Sequence, residues 1–117
     1  GSPGMNVLPA EMRDGGASFA GQNLPTEGRV TAKGGKVEIG IRPEFVSLSE
    51  TGIEAKVRKV ADIGRHLVME AMVGDQKVAA VLDGPAPVQG DTVHLQFKPA
   101  QTRVYADGWL ATEKAAS

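Results

Sequence analysis

At 117 residues the chain is long enough to bury a core without staples, and with no cysteine it has neither disulfides nor thiolate chemistry. A net charge of −1 gives it no global attraction for nucleic acid or anionic lipid. No apolar run approaches the roughly 20 residues that span a bilayer, and no basic-then-apolar signal pattern opens the chain, so a membrane link is expected to run through a partner.

The 15 glycines and 7 prolines punctuate the chain too densely for long helices and favour short strands. Val7-Leu8 and Ala17 to Ala20 read as strands separated by Asp14-Gly15-Gly16. Residues 21–36 are rich in Gly, Pro and Thr, with one weak strand at Arg29-Val30-Thr31 and a turn at Gly34-Gly35. Ile39 and Ile41 then point one way at period two, and the strand stops at Arg42-Pro43-Glu44, because Pro43 cannot donate to a ladder. Val46-Ser47-Leu48 follows. Ile53, Ala55 and Val57 alternate with Glu54, Lys56 and Arg58, and the alternation slips at Lys59-Val60, which predicts a bulge. Asp62-Ile63-Gly64 is a turn. Leu67 to Val73 is a strand, and Gly74-Asp75 suits a two-residue hairpin. Val78 to Leu82 is apolar on both faces and is expected to be an interior strand. Asp83 to Gly90 is a loop holding Pro85 and Pro87. Val93, Leu95 and Phe97 form a strand with one wet face, and Arg103 to Ala106 is the last strand. Short strands about ten residues apart predict an all-β small antiparallel barrel or sandwich with few or no helices and with Val57, Val81, Leu95 and Phe97 in its core.

Constellations for chemistry are scarce. Gly35-Lys36 is not a phosphate loop, since Val30 and Val37 stand where that motif needs Gly and Ser or Thr. The six aspartates (14, 62, 75, 83, 91 and 107) each lie within two residues of a glycine, which is turn chemistry. His66 and His94 have no second histidine at ligand spacing and read as solvated. Lys56, Arg58, Lys59 and Arg65 form a basic cluster without the aromatic platforms that single-stranded nucleic acid requires. No catalytic, cofactor-binding or metal-ligating residue is identified. Arg42, Pro43 and Glu44 are the candidate interface, read either as a strand stop with a local ion pair or as a docking corner; the residues alone favour the stop.

Several stretches, in order, resemble the C-terminal domain of the ATP-binding subunit of maltose-type sugar ABC importers. These are Gly1-Ser2-Pro3-Gly4-Met5-Asn6, the Gly40 to Glu44 corner, the strand and turn Val57 to Gly64, and Gly90-Asp91-Thr92-Val93-His94-Leu95-Gln96-Phe97-Lys98-Pro99. The last is similar to the signature of the TOBE element, and Val104-Tyr105 matches its aliphatic-aromatic pair. The resemblance implies one C-terminal regulatory domain over 1–117, with a TOBE-like element at about 37–110 and a barrel of the OB-fold or MOP-like type. It implies that the ATPase domain, with its ATP and magnesium, lies outside this chain, which then binds no cofactor and is not an enzyme. The implied partners are a second copy of the subunit, the transporter's membrane subunits and a cytosolic regulatory protein, with no nucleic acid, on the cytoplasmic side of the inner membrane. Two rival readings are a stand-alone barrel for single-stranded nucleic acid and an oxyanion-binding TOBE domain.

Overall fold

The computed structural model describes residues 4–31 and 35–113; the Gly1-Ser2-Pro3 lead and Gly34 of the Gly34-Gly35 turn lie outside them. The fold is all β and antiparallel, as expected. Its strands are β1 (Asn6–Pro9), β2 (Glu11–Arg13), β3 (Gly16–Phe19), β4 (Gln22–Leu24), β5 (Arg29–Val30), β6 (Val37–Ile41), β7 (Val46–Ser49), β8 (Ile53–Asp62), β9 (Leu67–Val73), β10 (Gln76–Leu82), β11 (Thr92–Phe97), β12 (Arg103–Ala106), β13 (Trp109–Leu110) and β14 (Thr112–Glu113). Two single-turn 3₁₀ helices, Pro43–Phe45 and Pro99–Gln101, each begin at a proline, whose fixed φ suits the first helical position. The chain divides into two compact units, one of residues 5–41 and 97 onward, the other of residues 42–96 with Gly4.

In the first unit a four-stranded sheet runs β1-β6-β12-β13, with smaller sheets β2-β3-β4 and β5-β14. Ile39 and Ile41 on the central strand β6 are fully buried, as their period-two spacing requires. Between them Gly40 leaves room for the Tyr105 ring, which a Cβ there would meet at 2.7 Å. Phe19 and Phe97 stack with ring centroids 6.4 Å apart. Three two-residue turns close hairpins here: Asp14-Gly15, Ala20-Gly21 and Asp107-Gly108. In each, both residues have positive φ, the conformation that matches the right-handed twist of the flanking strands. Aspartate tolerates that region through local hydrogen bonding. Ala20, at φ 53°, has no such help. The strand expected to reach Ala20 therefore ends at Phe19.

In the second unit a five-stranded sheet runs β10-β9-β8-β11-β7, and β7 and β10, its two ends, also pack against each other. Ile53, Ala55 and Val57 of β8 alternate inward to meet Met69 and Ala71 of β9, Val78 and Ala80 of β10 and Leu95 of β11. The predicted bulge is present: Val57 faces Ala71 and Lys59 faces Glu70, so Arg58 is the extra residue. The Gly74-Asp75 hairpin is also as expected, with positive φ (60°) at its first central residue only. Gly52, at φ 132°, has no room for a side chain, because a Cβ would run into the Leu95 carbonyl.

One core expectation needs correcting. Val57, Leu95 and Phe97 are buried, but Val81 is only half-buried, and β10 has a single ladder partner, β9. The turn Pro43–Phe45, in which Pro43 is fully buried, packs against β10. β10 is thus an edge strand of its sheet rather than the interior strand expected, and the face that carries Val81 is covered only in part.

Two stability changes are expected. Ala20→Asn relieves the left-handed strain at a conformation asparagine adopts readily, and raises stability by about 0.5–1 kcal/mol. Pro43→Ala removes two buried methylenes and the fixed φ, and lowers it by about 2 kcal/mol. Urea unfolding of the two variants beside the parent chain measures both.

Candidate docking cleft

The turn Pro43–Phe45 owes its shape to three local causes. Pro43 fixes φ at the first helical position, the Phe45 N–H donates to the Arg42 carbonyl at 3.0 Å, and the Val46 N–H donates to the Pro43 carbonyl. With Pro43 pressed inward, its neighbours point out: Arg42 and Glu44 are both exposed, and Arg42 Nε lies 3.6 Å from Glu44 Oε1. The ion pair expected between them forms, and at that exposure it contributes at most about 1 kcal/mol.

These three residues line one wall of a cleft of about 280 Å³; Ile63, His66, Val81 and Asp83 complete it. The floor is apolar, from the Pro43 ring and the half-buried Val81. Opposite the Arg42–Glu44 pair, His66 Nδ1 and Asp83 Oδ1 are 2.8 Å apart. A carboxylate only accepts, so Nδ1 carries the proton of this bond and Nε2 is left as the other face of the ring. The loop presenting His66 is held by the Ile63 N–H donating to the His66 carbonyl at 3.0 Å and the Gly64 N–H donating to Asp62 Oδ1 at 2.8 Å.

The aspartates expected in turns mostly behave so. Asp62 caps its own turn, Asp91 accepts from the Val88 N–H at 3.0 Å, and Asp107 accepts from the Lys36 N–H at 2.9 Å. Asp83 departs from that reading, and so does His66, which is hydrogen-bonded rather than simply solvated. The signal for the pair was present: counting back from the Gly74-Asp75 turn places Leu67 opposite Leu82, and the next pair along is His66 and Asp83. Lys56, Arg58 and Lys59 are exposed along β8, on a sheet face that carries no aromatic partner from β9 or β10. Among the described residues no three His, Cys, Asp or Glu side chains converge as a metal site would require, and no helix is long and apolar enough to cross a membrane.

Residues 1–46 match the family pattern of the MalK OB fold domain, and residues 39–104 match that of the TOBE domain. The two overlap at 39–46, which holds the Arg42-Pro43-Glu44 corner. Among curated proteins, an uncharacterized ABC transporter ATP-binding protein, y4oS, of Sinorhizobium fredii is 40% identical over 87 residues, 70% of this chain and 24% of its own length. The sn-glycerol-3-phosphate import ATP-binding protein UgpC of Yersinia pestis is 32% identical over 107 residues, covering 86% of this chain and 30% of its own. Its namesake in Escherichia coli K12 is 29% identical over 113 residues, 90% of this chain and 32% of its own. The chain thus spans about a quarter to a third of the length of these curated relatives. With the TOBE pattern running through residues 39–104, more than half of the chain, this protein belongs to the TOBE domain family.

Proposed function

We propose that the chain is the C-terminal regulatory and dimerisation part of the ATP-binding subunit of an ABC importer for sugars or related solutes. The observation that carries this reading is the pair of adjoining family matches, MalK OB fold domain then TOBE domain, together with relatives named as import ATP-binding proteins. In such a subunit ATP and magnesium are handled by the part not present here. This part keeps two motor subunits in contact while they open and close around nucleotide, on the cytoplasmic face of the membrane beside the transporter's membrane subunits. The physical gain is effective concentration: a standing contact makes each reclosure intramolecular, at roughly millimolar local concentration.

Arg42, Pro43 and Glu44 are the proposed contact corner for a cytosolic regulatory protein or a neighbouring subunit. A buried proline flanked by two outward charges is an economical docking element, because the turn is formed before the partner arrives and little entropy is lost on engagement.

Two outcomes test the reading. The purified chain has no ATPase activity; hydrolysis that co-elutes with it through repurification contradicts the division of labour. Glu44→Lys reverses an exposed charge and removes its pair with Arg42, so it changes the stability of the chain by no more than about 1 kcal/mol. In the full-length subunit the same change disturbs transport, its regulation or subunit pairing. If all three stay at parental level, the corner is only a strand stop.

A further inference from the structure

The cleft beside the corner is lined by two carboxylates, one guanidinium and one imidazole. Glu44 uses Oε1 toward Arg42, and Asp83 uses Oδ1 toward His66. Glu44 Oε2, Asp83 Oδ2 and His66 Nε2, and on the donor side the two Nη groups of Arg42, have no further partner among the described residues. With the histidine counted as neutral, the two carboxylates and one guanidinium of the lining sum to a charge of −1. The other charges on the adjoining loop, Asp62 and Arg65, cancel, and Asp62 is already engaged with the Gly64 N–H. Beneath these groups lie Pro43 and Val81, and Ile63 stands 57% exposed at the rim with no apolar cover.

A complementary occupant has an aliphatic stem for the floor and a cationic, donor-rich tip for the rim. That is the chemistry of an arginine or lysine side chain, which lays its methylenes on apolar surface and keeps its charge among oxygens. An anionic tip finds Arg42 but must lie beside two carboxylates, one of which already pairs with that guanidinium. A wholly apolar side chain strips water from both ion pairs and returns no hydrogen bond. We propose that this cleft receives a basic side chain presented by a protein partner, with Glu44 and Asp83 as the residues that select it. The inference rests on the docking reading of the corner and adds to it the sign of the partner's charge.

The test is a titration of the ¹⁵N-labelled chain with the peptide acetyl-Gly-Arg-Gly-amide, followed by amide chemical shifts. The same peptide with norleucine or glutamate at the centre serves as comparison. The arginine peptide is expected to give saturable shifts at Arg42, Glu44, Phe45, Ile63, His66 and Asp83, with roughly millimolar affinity. Glu44→Gln and Asp83→Asn each weaken it by about fivefold, the effect of losing one exposed ion pair, and added salt weakens it further. Equal binding of the norleucine or glutamate peptide overturns the proposal, as does a response spread along β8 or no response in the millimolar range. The outcome is separable from that of the docking reading. If the arginine peptide binds as described while Glu44→Lys leaves the intact transporter unchanged, docking fails and the cleft chemistry stands. If the peptide fails while the transporter is impaired, docking stands and the basic occupant is wrong.

Discussion

Burial of Pro43, in a turn that packs against β10, is the constraint on which the candidate site depends. The same residue cannot donate to a ladder, and so ends the run begun at β6, and it lines one cleft with the half-buried Val81. Because the ring is inside, Arg42 and Glu44 are outside, and their exposure is a geometric consequence of the packing. A surface ion pair of this kind adds little to stability. Its value lies in position: two charges held at fixed places above an apolar floor.

The opposite wall is built by a different device. The Gly74-Asp75 turn sets the β9–β10 register residue by residue, and that register carries His66 and Asp83 to facing positions just past the end of the ladder. A slip of one residue would separate them and turn the inward set of Val78, Ala80 and Leu82 to the other face of the strand. The site is thus coupled to the hydrophobic pattern of β9 and β10, although its charged side chains stand outside the core.

Most of the second unit was legible from alternation and turn chemistry. The inward residues of β8, the bulge after Val57, the glycine-first hairpin and the stop at Pro43 all follow from local rules. The N-terminal stretch was less readable, for physical reasons. β2 and β4 have three residues each, too few to show a period, and the Ala20-Gly21 turn uses an alanine where turn preference calls for asparagine or aspartate. Val81 was misplaced because an apolar residue is silent about whether a strand or a turn covers it. The Arg42, Pro43 and Glu44 corner was identified from the chain alone, but the cleft was not. His66 and Asp83 looked like ordinary loop residues until the register joined them.

The central claim is that the corner is a preformed, rigid element. Amide hydrogen exchange at Phe45 and Val46 tests this most directly, since these N–H groups close the turn on the Arg42 and Pro43 carbonyls. If the turn is fixed by Pro43 packing, both amides exchange about as slowly as those of β10, opening only with the unit as a whole. Exchange as fast as in an unstructured loop would show that the turn opens on its own, and a preformed docking corner would then be excluded.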